Sequence, residues 1–226
     1  MTLLAIDTST GPASLALTAA DGSCIAMHED AEAMKQSQRL VRDVNTLVRA
    51  HLPSGYAGLQ AIVTTHGPGG FTGIRIGLAT ARGLALAANL PLIGLSTLEV
   101  FAWEALENTA VGTAAITMVD AYRGQAYCQP FCRGENTLEA LSEAEAVDYE
   151  ALAQYAAQWP DAIRIGNPKT DVAELQHSPL PHALHAGSYA AFLLRNTEAS
   201  ALASTHKAEA FYIRPPDAKP QKPFLS

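Results

Sequence analysis

Two carboxylates that close apolar runs are the residues of this sequence best placed to do chemistry. Asp7 ends LLAID and is followed by the hydroxyls of Thr8, Ser9 and Thr10, and Asp120 ends AAITMVD in the second half of the chain. A pair of strand-end aspartates facing one cleft would suit an ATP-dependent transferase or hydrolase, with Gly67 beside them. The stretch His66-Gly67-Pro68-Gly69-Gly70 adds a glycine-rich turn between an apolar strand and a helix, where free backbone N–H groups can cradle an anion. It is not a P-loop, which needs Lys-Ser/Thr after its final glycine; here Gly73 is followed by Ile74-Arg75. A tight strand-to-helix turn with no ligand is the plainer reading.

The remaining reactive side chains form no familiar constellation. Histidines stand at 28, 51, 66, 177, 182, 185 and 206, with neither HxxxH nor HExxH among them. His182 and His185 would share one helical face, but no fixed carboxylate completes a metal site, so surface histidines and no metal are expected. Ser96, in Gly94-Leu95-Ser96-Thr97-Leu98, lacks the closing glycine of a nucleophile elbow and should cap the helix that follows. Cys24, Cys128 and Cys132 are odd in number and contain no CxxC, which argues against a disulfide framework and against paired-thiol zinc or redox chemistry.

The elements that must position these residues follow from periodicity. Alternating apolar residues at 3–7, 13–18 and 23–28, with Asp21-Gly22 as a tight turn, predict three antiparallel strands. From Glu32 to His51 the period becomes helical: Leu40, Val41, Val44, Leu47, Val48 and His51 share a stripe, and Arg39, Arg42, Asp43 and Arg49 lie off it. A strand at 61–65, the glycine turn, a helix over Phe71–Ala88, the strand PLIGLS and the helix TLEVFAWEAL follow. The order βββαβαβα predicts an α/β protein and resembles the ribonuclease-H-like half of the actin, sugar kinase and Hsp70 superfamily, the actin-like ATPase (ASKHA) fold. A second lobe begins near 109, with strands at 114–121 and 125–131 joined across Tyr122-Arg123-Gly124, which loosely repeats the opening of the chain. A helix at 149–158, a strand at AIRIG, a helix at 187–195 and an extended piece, AFYIRP, complete it. The expected division is therefore 1–108 and 109–226, each lobe a mixed sheet with flanking helices. The Pro- and Lys-rich tail from about 215 lacks the apolar material to order itself.

Composition narrows the function classes. In 226 residues, 48% are hydrophobic and 16% charged, and mean hydropathy is +0.06, the balance of a soluble globular chain. No apolar run reaches the ~18 residues of a membrane span. The start, MTLLAIDTST, has no basic region and meets Asp7 early, so no secretory signal is read and a cytoplasmic location is expected. Net charge is −7 and pI about 5.4, which disfavours a broad electropositive surface; RNA would be held by another protein.

The helix after the glycine turn carries Gly73, Gly77 and Gly83 in its interior, each costing about 1 kcal/mol relative to Ala. Gly73, Gly77 and Ala81 stand at i, i+4 and i+8 and would make a flat ridge against which another helix packs closely, either an internal one or a partner's. In actin-like ATPases the first strand leads into Asp-x-Gly-Ser/Thr. Here Ser9 takes the glycine position, so Asp7, Thr8, Ser9, Gly67, Gly69 and Asp120 are expected to form a vestigial nucleotide cleft.

Taken in order and spacing, AIDTST, GPGGFTGIRIGLATARGLAL, PLIGLSTLE, VDAYRGQAY and EAFYIRPP resemble the bacterial TsaB (YeaZ) family over nearly the whole chain. The resemblance implies a part in installing a threonylcarbamoyl group on the adenosine beside the tRNA anticodon. In that system TsaC makes the acyl-adenylate, TsaD transfers the group with a metal held by HxxxH, TsaE is an ATPase and TsaB is a non-catalytic scaffold. The lack of HxxxH places this chain on the TsaB side. The family pairs with itself when alone, or with TsaD, through the two helices that follow the meander and the glycine turn. Carried over, this implicates Leu40, Val44 and Leu47 with Gly73, Ile76, Gly77, Thr80 and Ala81, and predicts that Gly77→Leu separates partners without unfolding the monomer. The resemblance implies no cofactor of its own, with ATP or ADP at the junction with TsaD, and tRNA only through the complex. A stand-alone ATP-dependent enzyme using Asp7, Gly67 and Asp120 is the alternative. The chain departs from the family pattern at Gly70, where Ser is usual, at Tyr122-Arg123 and Gln125, where DAR-GE is usual, and at Gln36-Ser37, where an acidic residue and His are usual.

Overall fold

The computed structural model describes residues 2–29, 36–177 and 182–213. Strands β1 (Thr2–Asp7), β2 (Ser14–Ala19) and β3 (Cys24–Glu29) form the antiparallel meander. The β2–β3 turn places Gly22 at φ 88°, where a side chain would be strained. Strands β4 (Leu59–Thr65) and β5 (Leu92–Leu95) join in parallel on the other flank of β1, giving the order β3-β2-β1-β4-β5. All of β1 is buried, because both faces of the sheet are covered and a central strand between them must be apolar throughout.

The second sheet repeats this plan. β6 (Ala114–Asp120) and β7 (Gln125–Arg133) form a hairpin, β10 (Ile163–Gly166) and β11 (Leu175–His177) add in parallel beside β6, and the order is β11-β10-β6-β7-β8. Short β8 (Leu138–Ala140) and β9 (Glu145–Asp148) both pair with the outer edge of β7. Both sheets are mixed, and the ribonuclease-H-like pattern occurs twice.

Helices α1 (Gln36–His51) and α2 (Phe71–Ala88) cover one face of the first sheet, where Leu40, Val44, Val48, Ala81 and Ala85 pack on Leu4, Ile6, Leu15 and Ile62. Helix α3 (Thr97–Leu106) lies on the second sheet, against β6, β7 and β10. Helix α5 (His182–Leu193), from the second half of the sequence, crosses back onto β1 and β2 of the first. A methyl on Gly187 would come within 2.7 Å of the Thr18 side chain, so the glycine permits that close approach. α3 and α5 pack on each other, and one core runs from Leu3 and Val63 through Phe101, Trp103, Tyr189 and Phe192 to Val119 and Phe131. α4 (Leu152–Ala156) covers the outer face of the second sheet, and α6 (Ala199–Thr205) packs on β5.

Several expectations are corrected. The helix expected at 187–195 spans 182–193 and completes the first sheet's layers, not those of a separate second lobe. The helix expected at 149–158 is a single 3-10 turn followed by five α-helical residues. Residues 210–213, the described part of the expected extended piece, form no helix or strand. The tail from about 215 and the expected helix start at Glu32 lie outside the described residues. No helix among the described residues is long and apolar enough to cross a membrane.

Candidate functional site

The first strand-end carboxylate is buried and fully engaged. Asp7 accepts hydrogen bonds from the Ser9 backbone N–H at 3.0 Å and from the hydroxyls of Ser9 and Thr65. Ser9 in turn accepts from the Thr97 hydroxyl at 3.0 Å. Asp7 therefore fastens the ends of β1 and β4 to the start of α3. Thr8 donates to the Gly73 carbonyl at 2.7 Å. The glycine turn is pressed down on this junction: Gly70 donates its N–H to the Ser9 carbonyl at 2.7 Å, and a Cβ on Gly69 would run into the same oxygen. Gly67 lies under the C-terminal segment, where a side chain would meet the Phe211 carbonyl at 2.6 Å.

Above this junction, between the ends of β1 and β6, is a cavity of about 90 Å³ lined by Ser9, Thr10, Gly69, Gly70, Val119, Asp120, Tyr122, Asn167 and Lys169. Small-molecule pockets usually hold ~300 Å³ or more, so this cavity is small beside them. Asp120 accepts from the Tyr122 N–H at 2.9 Å and the Tyr149 hydroxyl at 2.8 Å, and pairs with the Lys169 ammonium at 3.0 Å. Burial works to raise its pKa, but the bonds from Tyr149 and Lys169 outweigh it and hold the carboxyl below the usual range. The Asn167 side chain accepts from the Asp120 N–H at 3.3 Å. Tyr122, Arg123 and Gly124 all have left-handed backbone, with φ 59°, 57° and 76°. For the two residues with side chains this is a strained turn, of the kind found at functional sites.

Of the expected cleft residues, the structure brings Ser9, Gly69 and Asp120 together; Asp7, Thr8 and Gly67 lie below the floor. Lys169, Asn167, Tyr149 and Thr10 were missed. Asn167 and Lys169 follow the end of β10, and loops after the carboxyl ends of parallel strands are where such groups gather. Two departures from the family pattern meet here: a Cβ on Gly70 would lie 3.8 Å from the Tyr122 hydroxyl. A third has a direct reason, because Gln125 donates to Asp148 at 2.8 Å, where a glutamate would oppose a like charge.

The histidines expected at the surface are in part interior. His182 packs on the Phe101 ring at 4.3 Å and is 2% exposed. His185 lies 3.9 Å from Glu104, and burial together with neighbouring His182 pushes its pKa down to about 4. His66 has a buried, unpartnered Nδ1, and burial, reinforced by His206, lowers its pKa to about 4. No cluster of three metal-ligating side chains occurs among the described residues. Ser96 accepts from the Leu98 N–H while Glu99 accepts from the Ser96 N–H, so Ser96 is a helix cap.

The partner-facing expectation needs correction. Leu40, Val44 and Leu47 are 2%, 0% and 7% exposed within the chain's own core. Gly77 and Ala81 are also buried, and Cβ atoms on Gly73 or Gly77 would strike the Thr8 carbonyl and hydroxyl. An apolar stripe already covering its own sheet cannot also meet a partner. Gly77→Leu would therefore damage the β1–α2 junction, and the monomer with it. Ile76 and Thr80 are half-buried at the edge of that stripe. The outward faces of the same helices present Val41, 50% exposed, and Leu86, 85% exposed, with Gly83 in open space. Along the flank of α2, residues 206–213 form a strap: Gly94 donates to the His206 carbonyl at 2.8 Å, Phe211 to His66 at 2.9 Å, and Arg82 to the Ala208 carbonyl at 2.6 Å.

Comparison with known proteins agrees with this architecture. Residues 36–210 match the family model described as TsaD, tRNA N6-adenosine threonylcarbamoyltransferase. The tRNA threonylcarbamoyladenosine biosynthesis protein TsaB of Escherichia coli (strain K12) is 35% identical over 164 residues, covering 70% of this chain and 69% of that protein. The Haemophilus influenzae protein of the same name is 31% identical over 175 residues, 74% of this chain and 72% of that one. Among solved structures, YeaZ from Pseudomonas aeruginosa superimposes with a TM-score of 0.72 at 25% identity, covering 94% of this chain and 100% of that one.

Proposed function

Because the chain belongs to the TsaB (YeaZ) family, within the Gcp-like group that also contains TsaD, we propose that it is the non-catalytic scaffold subunit in threonylcarbamoylation of the tRNA adenosine beside the anticodon. On this reading it docks a TsaD-type catalytic paralogue through the outward faces of α1 and α2, works with a TsaE-type ATPase, and meets tRNA only through the complex. It needs no cofactor of its own, any adenine nucleotide sits at the junction with the paralogue, and the work is done in the cytoplasm.

The observation that carries the reading is the state of Asp7. Its carboxylate is buried and holds three donors of its own chain, and the glycine turn lies on the Ser9 carbonyl where a phosphate would need to approach. Such an aspartate is a structural fastener whose acceptor sites are taken up by its own chain. The stand-alone enzyme reading rested on Asp7 and Asp120 with Gly67, and of these three only Asp120 lines the cavity.

Reconstitution of the modification from TsaC, TsaD, TsaE and tRNA tests the proposal. Adding this chain should switch the reaction on, while the chain alone should neither modify tRNA nor turn over ATP. ATP turnover by the chain alone, abolished in Asp7→Asn, would establish the enzyme reading instead; full modification without the chain would remove the scaffold role.

A further inference from the structure

Among the described residues the exposed aromatic rings are those of Phe71, Tyr122 and Phe211, at 37%, 57% and 36%. All three border the glycine turn. Phe71 opens α2 directly after Gly70, and Phe211 donates its N–H to the carbonyl of His66, the first residue of the turn, at 2.9 Å. The Tyr122 hydroxyl would lie 3.8 Å from a Cβ on Gly70, the last. Exposed apolar residues scattered singly mean little, but three aromatics around one loop mark a place of contact. Two of them are braced: the Arg75 guanidinium sits over the Phe71 ring at 3.7 Å with Tyr212 at 5.5 Å, and His66 meets Phe211 edge-on at 6.2 Å. Tyr122 differs. The Lys169 ammonium stands 4.9 Å from its ring centre, and no aromatic ring among the described residues packs on it. Its left-handed backbone, at φ 59°, holds it there at a cost in strain.

The cavity that Tyr122 shares with Thr10, Asn167 and Lys169 has hydrogen-bonding groups to spare. The buried Thr10 hydroxyl has no partner among the described residues. Asn167, whose side-chain oxygen accepts from the Asp120 N–H, keeps an NH2 to donate. The one acid of the lining, Asp120, is paired with Lys169. A planar ring open to stacking, a cation beside it and unmet polar groups at its foot suit a nucleobase taken out of its stack, with its face on the ring and its edge on the polar groups. The anchor of a protein partner would instead seek an apolar floor. A mononucleotide would need its phosphates at the glycine turn, where the Ser9 carbonyl already receives the Gly70 N–H. A base in an RNA loop carries its phosphates away on its own backbone.

We propose that in the assembled complex Tyr122 stacks an unpaired base from a loop of the RNA substrate, with Asn167 and Thr10 at the edge of that base, a role that rests on the reading above that this chain serves tRNA modification. The ring stands by the start of α2, about 22 Å along the helix from Leu86. A net charge of −7 works against RNA binding by the chain alone. The base reaches Tyr122 only when the complex holds the phosphates.

The test uses the complex assembled from the full chain with the TsaD-type and TsaE-type proteins, supplied with TsaC and tRNA, and reads kcat and the KM for tRNA separately. Tyr122→Asn removes the ring but keeps a residue that accepts left-handed backbone, and an unchanged melting temperature and paralogue affinity confirm an intact fold. It should raise the KM for tRNA about tenfold with kcat little changed, and Tyr122→Phe should restore the wild-type value. Ultraviolet crosslinking of tRNA to the wild-type complex should attach RNA to the peptide that carries Tyr122, while the chain alone should bind no tRNA at about 150 mM salt. An unchanged KM in Tyr122→Asn overturns the proposal, and if that variant does not fold, absence of the crosslink overturns it. Weaker ADP binding by the variant complex with the KM for tRNA unchanged assigns the ring to a free nucleotide, and lost paralogue affinity at an unchanged melting temperature assigns it to a protein contact; either overturns the proposal. Equal modification of tRNA with this chain left out removes the scaffold reading and the proposal with it, whereas an unchanged KM under a strict need for the chain removes the proposal alone.

Discussion

His66 and Asp7 are polar residues at the ends of neighbouring buried elements, and they meet burial in opposite ways. Asp7 is surrounded by donors of its own chain. His66 keeps an unpartnered Nδ1 against Phe211, and its pKa falls from 6.5 to about 4. In the unfolded chain the imidazole takes a proton near pH 6.5, so between 6.5 and about 4 the folded state binds fewer protons and stability falls as pH drops. From pH 7 to pH 5 the loss from this one group is about 2 kcal/mol. Urea unfolding at both pH values should show that loss shrinking by about 2 kcal/mol in His66→Phe, whatever the variant's absolute stability. An equal loss in the two proteins would mean that His66 is not held neutral in the fold.

At the scale of elements, α2 shows what could be read in advance and what could not. Its limits at Phe71 and Ala88 are marked by the glycine turn before it and by Asn89, whose left-handed conformation closes the helix. The meander, the Ser96 cap, the β6–β7 hairpin and most of the α1 stripe were legible for similar reasons, since period and turn chemistry are local; Val41 and His51, read as part of that stripe, are exposed instead. The side of α2 facing inward was not legible, because Gly73 and Gly77 have no side chain to declare a face, and only the tertiary position of Thr8 assigns one. Gly83 is the exception among the three, with nothing near its missing Cβ. Gly83→Ala should therefore raise stability by roughly 0.5–1 kcal/mol through helix propensity alone, read as an increase in urea midpoint. Loss of stability would show that the outward face is packed in the isolated chain.

For the molecule as a whole, the boundary near 108 separates the sheets but not the helices. α3 belongs by sequence to the first half and packs on the second sheet, and α5 does the reverse. Nothing local announces such an exchange: Ala183, Ala186, Ala190 and Ala191 are equally acceptable on either sheet, and His182 in a Pro-flanked stretch hid the true start of the helix. The cleft suffered likewise, since Lys169 reaches Asp120 only once β10 lies beside β6. A fragment of residues 1–108 should consequently lack dispersed amide resonances and bind a hydrophobic dye, because the α5 side of β1 and β2 is uncovered. Sharp, dispersed spectra from that fragment would show that the first sheet is self-sufficient.

The same exchange has a bearing on biosynthesis. As the chain leaves the ribosome, its first strands emerge early, yet the helix that seals them is made only after every strand of the second sheet. Vectorial, half-by-half folding is closed to this protein. Its nascent form must keep an apolar sheet face in the company of chaperones until that helix has been made, and a product truncated before it would be recognised and degraded as unfinished.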